Sequence, residues 1–362
     1  MTSPSRLFTF FKQLVLTGAG AAALLSCSDD TIDGPAFNIL KNGSNVFVLN
    51  EGKYGTPNGA VSYFQKANST VADLNIFQTV NSRELGDVVQ SMTVINGQGY
   101  IVANNSKKVE VVNMTTFQTV ATITGLEQPR YVVAVAANKA YVSEWINFSS
   151  PKGRIAVIDL GTNTITKTIA VGPQPERLLV ANNRVYVGNT GDDTLRVINP
   201  ATDAVESKIK VKDAPGSLVL DKSGAIWVLC QGITKYGPGP LYPVIQDTQG
   251  NLVKFAPTLP TAQTVLPFTG HPGGLRLNGA ADQLYYRFGG GLYNMAITAT
   301  ALPARALIAR RFNGADIDPQ DNTIYGSVGS FSTTGRFIRY KPDGMAIDSF
   351  GVSIGPTGFL FY

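Results

Sequence analysis

The clearest pattern along the chain lies in residues 173–211, PQPERLLVANNRVYVGNTGDDTLRVINPATDAVESKIKV. Four short apolar runs, 178–180, 185–187, 195–198 and 205–211, are separated by Asn182-Asn183, Gly191-Asp192-Asp193 and Asn199-Pro200. Asn, Gly and Pro supply the backbone angles that tight turns need, so each run reads as a strand and each gap as a turn. The last run alternates. Val205, Ser207, Ile209 and Val211 point one way; Glu206, Lys208 and Lys210 point the other. A two-residue period marks a strand with one exposed face. Four strands in about 40 residues, followed by a fresh start, make one blade of a β-propeller.

The unit recurs. A Pro or Gly ahead of an apolar run opens it at Gln128-Pro129-Arg130, Gln174-Pro175-Glu176, Ala214-Pro215-Gly216, His271-Pro272-Gly273, Phe312-Asn313-Gly314 and Gly355-Pro356-Thr357; Leu85-Gly86-Asp87 is a degenerate copy. A second strand of common character follows every start but the last: QGYIVAN from Gln98, KAYVSEW from Lys139, RVYVGN from Arg184, AIWVLCQ from Ala225, QLYYRF from Gln283 and TIYGSV from Thr323. Aromatic and β-branched residues suit a buried pleated surface. Repetition at intervals of roughly 40 to 58 residues predicts radial blades. Residues 46–362 allow about 45 residues for each of seven blades. The final TGFLFY has no strand after it and fits the innermost strand of blade one, whose other strands begin at Val46. The two chain ends then pair and close the ring without an open edge. The expected fold is all-β, one seven-bladed propeller over residues 45–362.

Residues 1–26 stand outside the repeat. Arg6 and Lys12 precede an apolar run, 14–25, too short to span a bilayer as an ordinary helix. It ends in Leu24-Leu25-Ser26-Cys27, which is similar to a bacterial lipobox and implies a signal peptide over 1–26 with lipidation at Cys27. Ser28-Asp29-Asp30 resembles the acidic surface-export signal of Bacteroidetes lipoproteins, which implies display on the outer face of the outer membrane. Residues 27–44 then read as lipidated cysteine and tether, an anchor rather than a span. Charged residues make up only 15% of the chain, as expected where blades stack face to face. Removing Arg6 and Lys12 from 30 basic residues leaves 28 against 25 acidic ones, a net charge of +3. With no Lys/Arg cluster, no nucleic-acid partner is expected. Cys230 lies in an apolar strand without a partner, so no intrachain disulfide is expected.

In a propeller, the loops leading into each blade and those after each second strand rise on one face around the axis, where ligands bind. The first set includes Asp87, Arg130, Gln174, Glu176, His271 and Asn313. The second includes Glu51, Asn104-Asn105, Trp145, Asn189-Thr190, Gln231, Arg287 and Phe331. These residues are rich in amides and aromatics, which suits a polar, uncharged or mixed ligand better than a phosphate or a metal ion. Loop-start amides also satisfy local backbone groups. Long second-strand loops at 51–58, 145–151 and 231–250 carry Tyr54, Trp145 and Tyr236, which either meet a ligand or pack the loops onto the rim. The expected ligand residues are Tyr54, Trp145 and Tyr236 for apolar contact, with Arg130, Gln174, Asn189, Gln231 and Arg287 for hydrogen bonds. Enzyme signatures are thin: one histidine, His271, in a leading turn, and no nucleophile elbow or phosphate loop. Asp192-Asp193 and the group Asp316, Asp318 and Asp321 read as turn residues. No catalytic residue, metal or cofactor is expected.

AYVSEW…IAVIDLGTNTITKTIAVG and VYVGNT…LRVINPATDAV resemble YncE-like (YVTN) propeller repeats of bacterial surface proteins. FVLNEGKYGTPNGAVSYF from Phe47 and LGDVVQSMTVINGQGYIVANNSKKVEVV from Leu85 are similar to Bacteroidetes surface propeller lipoproteins of the BtuG type. That resemblance implies capture of cobalamin and a TonB-dependent transporter as partner. It covers residues 46 to 228; blades five and six depart from it. The sequence therefore leads to a non-enzymatic, surface-anchored propeller that binds a small molecule, with a corrinoid among the ligands implied. A protein-interaction or adhesion propeller and a propeller hydrolase of the lactonase type are the alternatives.

Overall fold

The computed structural model describes residues 37–362. The signal segment, Cys27 and the acidic tail lie outside the described residues. Seven sheets form the blades: six have four strands and one has three. Each innermost strand packs on the next, from Val89–Ile95 through Gln128–Ala136, Pro175–Ala181, Pro215–Leu220, Gly273–Leu277 and Gly314–Ile317 to Pro356–Phe361, which returns to the first. The last of these strands pairs antiparallel with Asn45–Asn50, Val46 opposite Phe361 and Val48 opposite Phe359. Blade one is thus built from both ends of the described chain.

The apolar pattern explains the stacking. The second strand of blade four, Arg184–Asn189, turns Val185 and Val187 toward blade three and Tyr186 toward blade five. Both faces of that sheet are therefore buried, and the strand reads as a near-continuous apolar run. The same division gives seven clusters of buried side chains, one at each blade interface. Outer strands keep a wet face, as in Ala204–Lys210. There the alternation is interrupted at Glu206, because Val197 pairs with Ser207 and Ile198 with Val205. The extra residue is a bulge, which turns Val205 toward blade three while Ser207 and Ile209 face blade five.

Three local features depart from a regular seven-fold pattern. Blade six has no fourth strand; residues 297–311 cover that edge, and Leu292 and Ile308 exchange backbone hydrogen bonds of 2.9 and 3.1 Å. The long loop of blade five folds into its own hairpin, Thr234–Tyr236 with Val244–Asp247. Residues 37–44, expected as tether, are held to the propeller: Ile39 is buried between blades one and two, and its N–H donates to the Thr115 carbonyl at 2.8 Å.

A recurring turn fixes the loop-rich face. The residue just before the innermost strand takes a positive φ in four blades: Val88 (56°), Gln174 (48°), Ala214 (57°) and Gly355 (64°). Its carbonyl accepts the N–H at the start of the second-strand loop, from Asn104, Thr190, Gln231 and Glu51 respectively, at 2.8 to 3.0 Å. The two loop sets are therefore tied blade by blade. Val88 holds this geometry against its β-branched side chain, at a cost of about 1–3 kcal/mol. Replacing Val88 with Gly removes that strain, offset by roughly 0.5–1 kcal/mol of chain entropy. Val88→Gly is expected to raise stability by about 1 kcal/mol, read as a higher urea midpoint with an unchanged slope. A lower midpoint would show that the Val88 side chain contributes more than its backbone costs.

A central arginine-lined cavity

The innermost strands carry the site, and bulges aim it. Register breaks between Val89 and Ser91, Pro129 and Tyr131, Pro175 and Leu178, Pro215 and Ser217, and Gly273 and Arg276 leave residues unpaired near the start of five strands. Gln90, Arg130, Glu176, Arg177, Gly216 and Gly274 fall within these breaks, and all line one central cavity. The cavity measures about 1080 Å³ and is lined by all seven blades. Its rim includes Trp145, Phe148, Thr190, Gln231 and Phe331 from the second-strand loops, so it opens on the face where those loops rise.

Arg130 organises one side. Its Nε donates to Glu176 Oε1 at 3.0 Å and its Nη1 to Gln90 Oε1 at 2.6 Å. Its guanidinium lies 4.6 Å from the Trp145 ring centre, a cation–π contact. Trp145 Nε1 donates to the Pro175 carbonyl at 3.1 Å, and Ser91 Oγ to the Arg130 carbonyl at 2.6 Å. This set joins blades two, three and four. Burial pushes the Glu176 carboxyl up, and Arg130 offsets only part of that. Burial also raises Glu51, against a hydrogen bond from Thr357 and the charge of Arg130.

Three more arginines line the cavity, Arg177 in blade four and Arg276 and Arg287 in blade six. Arg276 is paired with Asp316, whose Oδ2 also accepts the Phe359 N–H at 3.1 Å. Arg287 Nη1 donates to the carbonyls of Phe312 (2.9 Å) and Asn313. Arg177 lies with its guanidinium 4.4 Å from the Tyr131 ring centre and, among the described residues, makes no ion pair or hydrogen bond. With Lys235 at the rim, five cationic side chains face three acidic ones in the cavity lining.

Of the residues expected to meet a ligand, Arg130, Trp145, Gln174, Gln231 and Arg287 line this cavity. Gln174 spans the rim, its Nε2 donating to the Phe148 carbonyl at 2.8 Å. Asn189 is a correction. It is fully buried off the cavity, where Nδ2 donates to the Pro173 carbonyl at 3.2 Å. It satisfies the loop rather than facing a ligand. Tyr54 and Tyr236 also fall outside the lining, 75% and 61% exposed. The picture of a face made of amides and aromatics is corrected too, because four arginines line the cavity. Arg177, Arg276 and Asp316 are absent from the loop sets because they sit within strands.

His271 does not line the cavity. Its Nδ1 meets the Gln231 carbonyl at 2.9 Å, while Nε2 faces both Asp247 (2.9 Å) and Thr234 (3.2 Å). A catalytic triad needs carboxylate and hydroxyl on opposite ring nitrogens; here both meet the same one, and the ring pins the blade-five hairpin. Among the described residues no group of three His, Cys, Asp or Glu is placed to hold a metal ion. Cys230 is buried and unpaired, its thiol pushed up to about 12 by burial.

Fold and cavity together define a seven-bladed β-propeller with a charged axial pocket. The chain belongs to the family described as Domain of unknown function (DUF5074), whose sequence profile matches residues 44–336. No curated protein sequence matches it. Among solved structures it is similar to a quinonprotein alcohol dehydrogenase-like protein from Bacteroides thetaiotaomicron, with TM-score 0.62 and 14% identity over 88% of this chain and 78% of that one. The dihydro-heme d1 dehydrogenase NirN in complex with DHE gives a TM-score of 0.59 and 10% identity over 90% and 77%. AztD from Citrobacter koseri gives a TM-score of 0.51 and 10% identity over 87% and 96%. At these identities the likeness is one of fold.

Proposed function

We propose that this chain is a non-catalytic, surface-anchored binding propeller. It captures a small molecule in the mouth of the axial cavity and passes it to an outer-membrane TonB-dependent transporter; a corrinoid is the first ligand to test. The observation that carries the reading is the cavity itself. Ligand pockets usually run from about 300 to 1,000 Å³, so about 1080 Å³ suits a large ligand with many polar groups. Trp145 and Phe148 at the rim offer apolar contact, and Gln174 and Gln231 offer amides. NirN, similar in fold alone, is described in complex with DHE.

The placement of residues 37–44 supports surface capture. Thr115, which holds Ile39, lies in the turn between the third and fourth strands of blade two, on the face opposite the cavity mouth. An anchor attached through this segment would leave the mouth turned away from the membrane. One observation favours a protein partner: the blade-five hairpin beside the mouth exposes Tyr236, Leu241, Tyr242, Val244 and Ile245, with Leu241 at 88%. A hand-over partner is consistent with that patch, and so is the interaction module.

Calorimetric titration of the Cys27→Ser chain with cyanocobalamin tests the reading. One-to-one binding, weakened at least tenfold by Trp145→Ala, is the expected outcome. Absence of heat with cyanocobalamin and other corrinoids would remove the corrinoid assignment. Stable copurification with an envelope protein, without stabilisation by any small ligand, would favour the interaction module.

A further inference from the structure

We propose that the cavity contains an oxyanion subsite in which Arg177, with Arg276 and Arg287 lining the same cavity, seats a carboxylate or phosphate group of the ligand. This deepens the binding reading, since it rests on the cavity being the ligand site; it does not require the ligand to be a corrinoid.

The argument begins with the acids. Three carboxylates line the cavity, and two are engaged: Glu176 by Arg130 and Asp316 by Arg276. The third, Glu51, stands near Arg130 and Thr357 and is held toward its neutral form by burial. No carboxylate is left for Arg177 or Arg287. Arg287 has only carbonyl acceptors. Arg177 has a ring against one face and no acceptor at its edge.

Arg177 is half-buried, and a guanidinium partly removed from water without a hydrogen-bond partner carries a desolvation cost that a ligand's acceptor would offset. Burial depresses Arg177, and the charge of Arg276 depresses it further; Arg287 is lowered by burial and then by Arg276 and Arg177. The three cations therefore sense one another across the cavity. An anion placed among them relieves both the repulsion and the missing hydrogen bonds. The planar fork of Arg matches a carboxylate or phosphate edge in paired fashion. The cation–π contact of Arg177 with Tyr131 holds the guanidinium in the cavity before the ligand arrives.

The subsite makes two separable demands on Arg177→Gln. Removing an unpaired cation should leave the unliganded protein at least as stable as the parent. It should also abolish stabilisation by anions. Thermal unfolding of the Cys27→Ser chain at low ionic strength, titrated with inorganic phosphate and with citrate, reads both. The parent is expected to show a saturable rise in melting temperature, with phosphate and citrate distinguishing the two oxyanion types. Arg177→Gln should lose at least tenfold in apparent affinity, and Arg305→Gln, an exposed arginine outside the cavity, should behave as the parent. No saturable rise in the parent, or an equal rise in Arg177→Gln, would overturn the subsite. A lower melting point for unliganded Arg177→Gln would show a structural role instead. Cyanocobalamin separates this inference from the wider reading. Equal binding by parent and Arg177→Gln would sink the subsite and leave corrinoid capture standing. Anion binding that needs Arg177, with no corrinoid binding, would do the reverse.

Discussion

Deleting residues 356–362 is expected to abolish cooperative folding of the propeller. The strand Pro356–Phe361 supplies the whole inner edge of blade one, pairing with Val46, Phe47, Val48 and Leu49. Its side chains also form the seam. Phe359 and Phe361 lie 5.6 and 5.1 Å from Tyr325, centre to centre, and Phe359 lies 5.8 Å from Phe337. Full burial of such a side chain contributes about 1.5–3 kcal/mol; Phe359 and Phe361 are partly buried and approach its lower end, before the lost ladder bonds and the Phe359 N–H taken from Asp316 are counted. Against a total stability of about 5–15 kcal/mol for an ordinary domain, that loss is decisive. The exposed edge would be Asn45–Asn50, whose six residues are all buried in the closed ring. An open, apolar edge of that kind is a template for aggregation. The truncated chain should therefore elute as aggregate and show no sharp melt. Gly314→Ala probes the same seam with a single methyl group, which would collide with the Thr357 carbonyl. Backbone against backbone cannot yield cheaply, so a loss of about 1–3 kcal/mol is expected. A truncated chain that melts sharply within a few degrees of the parent would show that the other six interfaces suffice.

That seam was legible in the sequence, and the cavity only partly so. TGFLFY announced itself because a strand at the chain's end needs a partner, and the open position in blade one was the place for it. RVYVGN and its relatives were legible because burial on both faces removes polar residues from a strand. Arg177 was not. In the run ERLLV it reads as one polar residue among apolar ones, and its direction depends on a bulge that no residue type demands. Arg276, in GLRL, is hidden in the same way. Asn189 misled for a related reason: an amide at a loop start can face the axis or cap a neighbouring carbonyl, and composition does not separate the two. Tyr236 lies in a segment whose length was evident but whose hairpin pairing, Thr234 with Asp247, was not. Blade six lost its fourth strand to an Ala-rich segment with one Pro, 297–311, where spacing alone still allowed a blade.

The rim can be tested through the pair that ties three blades together. In Arg130→Ala, Glu176 would lose the guanidinium at 2.9 to 3.0 Å, Gln90 its donor and Trp145 its covering charge. Stranding one partner of a buried pair costs about 3–5 kcal/mol. The lower end is expected here, because the charge of Arg177 still reaches Glu176. The effect should depend on pH in a defined direction. Burial already holds the Glu176 carboxyl above its ordinary range in the folded protein, and loss of Arg130 raises it further. A carboxyl whose folded value exceeds its unfolded value binds its proton more tightly in the folded state. Its contribution is fully present below the unfolded value, near 4.5 for an ordinary Glu, and is lost as pH rises through the raised folded value. The penalty of Arg130→Ala should thus be greatest at neutral pH and shrink on acidification. Adding Glu176→Gln removes the stranded charge, so the double variant should recover much of the loss and flatten the pH dependence. Urea unfolding of parent, single and double variants at pH 7 and pH 5 decides it. Equal penalties at both pH values, or a double variant as weak as the single one, would mean that Arg130 acts through its packing on Trp145 rather than through Glu176. In that case the rim of the cavity is held by aromatic stacking, and Trp145→Phe becomes the variant that separates rim rigidity from ligand contact.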